Sequence, residues 1–208
     1  QAKWHFGRTA LVCGSAGMSG AALLATHSAL RSGAGLVQLC AVEDVIGAAR
    51  IALHEALLLP VARDESGVIH QTAAPLILQQ AEKAQSLLFG CGVGLSDHGR
   101  ALAAQLCQHY RGTLVLDADG INALAGHMDV LKRRSAVTVL TPHEGEFVRL
   151  GGDLTLGRKR AAAEFAAKCG CVLVLKGAGT VVAAPDGRIL QNTTGNCGMA
   201  KGGSGDVL

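Results

Sequence analysis

Short apolar runs alternate along this chain with longer stretches of helical period, and few folds accept that alternation. Ala10-Leu11-Val12-Cys13 reads as a buried strand, and Gly14-Ser15-Ala16-Gly17 turns the chain. Residues 20–32 then place Ala22, Leu23, Ala25, Ala29 and Leu30 at helical spacing before a glycine stop at Gly33-Ala34-Gly35. The same reading predicts strands over 36–40, 56–59, 86–89, 113–116, 137–140 and 172–175. It predicts helices over 43–53, 75–83, 97–109, 144–150 and 158–169. Residues 181–184 and 188–191 flank Pro185-Asp186-Gly187, a hairpin signal. Strand–helix alternation implies βαβ units with right-handed crossovers. The expected fold is therefore α/β: a central, mostly parallel sheet with helices on both faces, as a single domain over residues 1–208.

Composition narrows the function classes. Hydrophobic residues are 49% of the 208 and charged residues 17%, which excludes a disordered chain. A net charge of +3 and only four Phe, one Tyr and one Trp argue against a nucleic-acid partner. The basic triplets Lys132-Arg133-Arg134 and Arg158-Lys159-Arg160 read as solvated helix ends. Seven cysteines without a CxxC pair indicate reduced thiols in a cytoplasmic protein. Cys169 and Cys171, one residue apart, would point the same way on a strand. No apolar run reaches membrane-spanning length, since Arg50, His54 and Glu55 interrupt the greasiest stretch, and no signal peptide is visible. The start lacks Met, so the expectation is a segment of a longer product. The chain stops at Gly205-Asp206-Val207-Leu208, where a helix is about to begin, so a C-terminal helical part is expected to be missing.

In open α/β sheets ligands bind outside the carboxyl ends of the strands. Polar and glycine-rich residues collect there: Gly14-Ser15, Gly90-Cys91-Gly92-Val93-Gly94, Asp117-Ala118-Asp119, Thr141-Pro142-His143-Glu144 and Lys176-Gly177-Ala178-Gly179. The strongest signal is the run from Asn192 to Asp206. Its Gly202-Gly203-Ser204-Gly205 leads into a presumed helix start, where backbone N–H groups can face a phosphoryl group in transfer. Asp206, in the first turn, can accept a proton from a substrate hydroxyl. An ordinary glycine-rich turn with a capping Asp is the plainer alternative, and the length of the patterned run weighs against it. Lys176-Gly177-Ala178-Gly179-Thr180 can wrap phosphates with backbone donors and one ammonium, or be a surface turn. Asp117, Asp119 and Asn122 suit helix capping and loop bracing at least as well as catalysis. The histidines other than His143 show no metal-ligand spacing.

These motifs resemble the ADP/ATP-dependent NAD(P)H-hydrate dehydratases of the ribokinase-like superfamily, the carboxy-terminal half of many bifunctional nicotinamide-repair proteins. The tail run resembles that family's signature, and the loop and helix from Gly14 to Ala22 its first loop. Gly90-Cys91-Gly92-Val93-Gly94 is similar to its GPGLG turn, departing at Cys91 and Val93. The stretch from Leu116 to Leu124 is similar to its DADALN segment, departing at Gly120 and Ile121, and Thr141-Pro142-His143-Glu144-Gly145-Glu146 to its TPHxGE motif. The resemblance spans essentially the whole chain. It implies dehydration of the S-epimer of hydrated NADH or NADPH by phosphorylation and phosphate loss. It implies substrate contacts at Ala21, Ala22, Gly94, His143 and Asp206. It implies an adenine-nucleotide site at Lys176, Gly177, Ala178, Gly179, Thr180, Asn196 and Gly205, with ADP or ATP as co-substrate. Glu146 would hold Mg²⁺ through water. A homo-oligomer, tetrameric in the family, and an epimerase domain before Gln1 are further implications. Two other readings remain: a ribokinase-like kinase for a vitamin precursor, against which His143 in place of Asn counts, and a non-catalytic nucleotide-binding module.

Overall fold

The computed structural model describes residues 3–208. Nine strands form one sheet: β1 (Arg8–Val12), β2 (Leu36–Ala41), β3 (Leu57–Pro60), β4 (Ser86–Phe89), β5 (Thr113–Leu116), β6 (Thr138–Leu140), β7 (Val172–Leu175), β8 (Val181–Ala183) and β9 (Ile189–Gln191). Their order is β3-β2-β1-β4-β5-β6-β7-β8-β9, parallel as far as β7, with β8 and β9 antiparallel as the sequence hairpin required. The chain winds outward from β1 to β3, then returns to lay β4 on the other side of β1. The strand order reverses there, so a crevice opens at the carboxyl ends of β1 and β4.

Nine α-helices connect and cover the described strands: α1 (Ser19–Arg31), α2 (Glu43–Ala52), α3 (Ala74–Ala81), α4 (Asp97–His109), α5 (Asp119–Asn122), α6 (Asp129–Lys132), α7 (Glu144–Arg149), α8 (Arg158–Cys169) and α9 (Ser204–Val207). Local chemistry sets their ends. Ser96 caps α4 by accepting the Gly99 amide at 3.0 Å. Gly170, at φ 66° and ψ 33°, supplies the left-handed residue that stops α8.

Side chains alternate along each strand, and the alternation separates two faces of the sheet. Leu87, Phe89, Leu114, Leu116, Leu140, Leu173 and Leu175 are fully buried. Each contributes about 1.5–3 kcal/mol relative to exposure. Their neighbours Leu88, Val115, Val139, Val172, Val174 and Val182 point the other way and are only half-buried.

Three local expectations are corrected. Cys169 ends α8 and Cys171 precedes β7, so Gly170 turns the chain between two buried thiols that share no strand. Arg134 is no solvated helix end. Its guanidinium donates to the carbonyls of Cys107, Tyr110 and Gly112 at 2.8–2.9 Å, gathering the chain that leaves α4. Arg158 is likewise folded inward, onto the loop after β7. All seven cysteines are free, six of them buried. Among the described residues no helix is long and apolar enough to cross a membrane.

Candidate active site

Cys13, Gly90, Asp117, Thr141 and Lys176 are each the first residue beyond a parallel strand, namely β1, β4, β5, β6 and β7. A parallel sheet therefore lines them up along one rim. Asp117 is buried, and its Oδ1 accepts from Thr141 Oγ1 and from Lys176 Nζ, both at 2.7 Å. Cys91 Sγ lies 3.7 Å from its Oδ2. A buried carboxylate needs such partners, and removing its cation costs about 3–5 kcal/mol.

Two backbone features aim these groups. Gly90 has φ +133°, and a Cβ there would lie 1.9 Å from the carbonyl oxygen of Asp117, so only glycine lets the turn after β4 approach the end of β5. Ala118 has φ +46°, alone among the described non-glycine residues in having a positive φ. It turns the chain between two carboxylates. Asp117 faces the rim, while Asp119 Oδ2 accepts the Gly94 amide at 2.9 Å. Strain of this kind costs about 1–3 kcal/mol and persists where the surroundings fix it.

The tail reaches this rim. Gly205 and Asp206, in α9, line a cavity of about 260 Å³ together with Cys91, Asp117 and Thr141 at the rim, and the cavity continues along the sheet face beneath α1 to Thr9 and Ser86 at the amino ends of β1 and β4. A Cβ on Gly205 would lie 3.6 Å from Lys176 Nζ. The helix start expected there forms as one turn, Ser204–Val207, packed on α1 with Gly203 against Leu24. The Asp206 carboxyl is pushed above its ordinary value, first by burial and then by the charge of Asp117. Lys176 and a contact with Cys91 oppose that shift. The Cys91 thiol is pushed far up by its contact with Cys13, by burial and by both carboxylates, so it remains a neutral S–H beside two acids.

The remaining foreseen residues fall outside the lining of this cavity. His143 caps α7: its Nδ1 accepts the Glu146 amide at 3.2 Å, and Glu146 Oε2 accepts the His143 amide at 2.9 Å. With Nδ1 used as acceptor, the inferred tautomer carries its proton on Nε2. That atom lies 3.6 Å from Glu146 Oε1, on a side chain more than half exposed. Asn caps helices equally well, so His and Asn are exchangeable in this one role. Ala22 is wholly buried beneath Gly14, and Ala21 lies against Gly92. Gly94 makes room for Val68, whose Cγ1 is 2.8 Å from where its Cβ would stand. Asn196 sits in the exposed tail and caps the turn Cys197–Met199 through the Gly198 amide. Lys176 to Thr180 form one loop beside β8, where Thr180 Oγ1 donates to the Gly177 carbonyl at 3.0 Å.

Magnesium keeps several waters and takes one or two carboxylates together with substrate phosphates. The buried Glu146 fits that demand: one oxygen is held by the backbone, and the other lies 3.6 Å from the His143 ring nitrogen. Sequence reasoning left Asp117 open and gave Cys91, Thr141 and Arg158 no role. Their shared signal was position, at or next to a strand end or at a helix start.

An open α/β sheet whose carboxyl-end rim gathers an acid, a lysine and a glycine-rich loop has the architecture of the ribokinase-like class. Comparison with known proteins narrows this. The profile of the NAD(P)H-hydrate dehydratase family matches residues 9–208, and the chain belongs to that family. It is 41% identical over 207 residues to a bifunctional NAD(P)H-hydrate repair enzyme Nnr of Gloeobacter violaceus, covering 99% of this chain and 40% of that protein. It is 37% identical to an ADP-dependent (S)-NAD(P)H-hydrate dehydratase of Neisseria meningitidis, covering 99% of this chain and 68% of that one. An ADP/ATP-dependent NAD(P)H-hydrate dehydratase of Bacillus subtilis, co-crystallised with ATP and Mg²⁺, superimposes with a TM-score of 0.84 at 34% identity. That match covers 100% of this chain and 71% of the Bacillus chain. The chain thus spans about 40% of the length of its bifunctional relatives.

Proposed function

We propose that this domain dehydrates the S-epimer of hydrated NADH or NADPH, using ADP or ATP. One observation carries the reading: Asp206 and Gly205 meet Asp117 and Cys91 at the strand-end rim of one cavity. The hydroxyl of the damaged ring is a poor leaving group. Asp206 takes its proton as the oxygen attacks the terminal phosphorus of the nucleotide, and the bond from that phosphorus to the bridging oxygen breaks. The nucleotide leaves one phosphate shorter. The ring-nitrogen lone pair then expels inorganic phosphate, the adjacent carbon gives up a proton, and reduced nicotinamide is restored. The Gly205 amide, which has no acceptor among the described residues, and the Lys176 ammonium stabilise the transferring group. Magnesium, held near Glu146, would supply charge neutralisation at the phosphates. His143 Nε2–H is the donor offered to the hydrate.

Asp206→Asn is the test. Loss of a general base lowers turnover by roughly 10²–10⁴-fold. ADP affinity, measured by calorimetry, should stay within about twofold. Recovery of reduced-nicotinamide absorbance at the wild-type rate in this variant would remove Asp206 from its role. A stable phosphorylated product in place of reduced nicotinamide would favour the kinase reading.

A further inference from the structure

The loop from Lys176 to Thr180 has carbonyls pointing backward, and one side chain collects them. Arg158, at the start of α8, donates through Nη2 to the carbonyls of Leu175 and Lys176, both at 3.0 Å. Through Nη1 it donates to the carbonyl of Ala178 at 2.6 Å. Gly177 is what admits it: a Cβ there would stand 2.8 Å from Nη2, at a φ of +142°. Arg158 Nε also lies 3.3 Å from Glu144 Oε1, in the first turn of α7, one residue past His143.

Peptide planarity turns this clamp into a statement about the opposite side of the loop. In a trans peptide unit the carbonyl of one residue and the amide of the next point in opposite directions. Three carbonyls drawn onto Arg158 therefore send the amides of Lys176, Gly177 and Gly179 the other way. The first donates to the Pro142 carbonyl at 2.8 Å. The amides of Gly177 and Gly179 find no acceptor among the described residues. Two such amides on one side of a glycine-rich loop offer an anion two donors, and a permanent guanidinium charge behind them strengthens the field there.

We infer that Arg158 is a positioning residue that holds the Gly177 and Gly179 amides toward the nucleotide phosphates while touching neither nucleotide nor hydrate. The inference rests on the nucleotide-dependent reading above and assigns the phosphate-facing geometry of that site to one side chain. Lysine does not replace it, because its donors share one nitrogen and cannot reproduce the planar fork that reaches Leu175 and Lys176 from Nη2 and Ala178 from Nη1.

The experiment compares wild type, Arg158→Ala, Arg158→Lys and Glu144→Gln by steady-state kinetics, ADP calorimetry and hydrogen exchange. Both Arg158 variants should raise the KM for nucleotide by at least about tenfold, the scale of lost positioning. The KM for the hydrate should stay within about twofold. Exchange at the Lys176 amide, the one amide of the loop bonded to a carbonyl among the described residues, should quicken, with the other protected amides unchanged. Millimolar guanidinium ion should restore much of the nucleotide affinity of Arg158→Ala, whereas Glu144→Gln should behave as wild type. Equal nucleotide affinity in wild type and Arg158→Ala, or unchanged exchange at the Lys176 amide, overturns the inference. If wild type itself binds no ADP or ATP, the proposed function fails first, and this assignment fails with it.

Discussion

Asp117 and Asp206 face one cavity from segments held in opposite ways. Asp117 is buried between Thr141, Lys176 and Cys91, with partners up to 59 residues away in sequence. The run from Asn192 to Lys201 is exposed throughout, and its side-chain hydrogen bonds reach only two residues along the chain. Its ties outward are few: the Asn192 amide on the Thr180 carbonyl at 2.8 Å, and the packing of α9 on α1. The strand ends hold Asp117 by bonds across the sheet, whereas the segment leading to Asp206 is held by bonds along itself and by α9 on α1.

Matched glycine substitutions test that contrast directly. Gly90→Ala places a methyl group 1.9 Å from the Asp117 carbonyl oxygen at a φ of +133°. It should cost at least about 3 kcal/mol in denaturant unfolding. Gly202→Ala, in the tail, adds a methyl group with nothing within 4 Å. It should stay within about 0.5 kcal/mol, as for any featureless surface change. Equal costs at the two positions would mean that the tail is as tightly determined as the strand ends.

The two halves also differ in how they are written in the sequence. The strands over residues 86–89, 113–116 and 172–175 and the helices over 97–109 and 158–169 follow from period and caps, and the structure has the same bounds. The strand β1 begins two residues earlier than its apolar run, because Arg8 is kept in the sheet by Gln38 across 2.6 Å. The one-turn helices α5 and α6 are too short to show a period. The tail motif was the most legible part of the site because its chemistry is local. The clamp from Arg158 to the loop after β7, and the bond from Lys176 to Asp117, join residues 17–59 positions apart. Only the sheet order brings such partners together, and no local pattern records it. The Gly120 departure from the family's alanine acquires its reason in the same way. A Cβ there would lie 2.4 Å from the Phe89 carbonyl oxygen.

Coupling between the halves has a pH signature. In the proposed mechanism Asp206 is ionised when it accepts the proton, and both burial and the Asp117 charge hold its carboxyl above the ordinary range. Asp117→Asn removes that charge and frees Lys176, and both changes lower the Asp206 value. The acid limb of kcat/KM should therefore move to lower pH in this variant. Stability follows the same sign. A carboxyl raised on folding stabilises the fold fully below its unfolded value, and that contribution is lost as pH rises through the raised value. Asp117→Asn narrows the window of loss. A limb that stays in place would show that Asp117 and Asp206 do not interact across the cavity.

The smallest expected effect lies between the two carboxylates of the rigid half. Ala118 holds φ +46° and ψ −115°, a conformation that glycine adopts without steric cost. If the strain amounts to about 1–3 kcal/mol, its relief outweighs the roughly 0.5–1 kcal/mol that glycine adds to the freedom of the unfolded chain. Ala118→Gly should then stabilise the protein by about 1 kcal/mol in denaturant midpoint. Turnover should stay within about twofold, because Asp117 is pinned by Thr141 and Lys176 and Asp119 by the Gly94 amide. Destabilisation with intact turnover would show that Ala118 carries no strain. Stabilisation with lost turnover would show that the hydrogen bonds do not suffice, and that the alanine backbone itself keeps Asp117 aimed at the cavity.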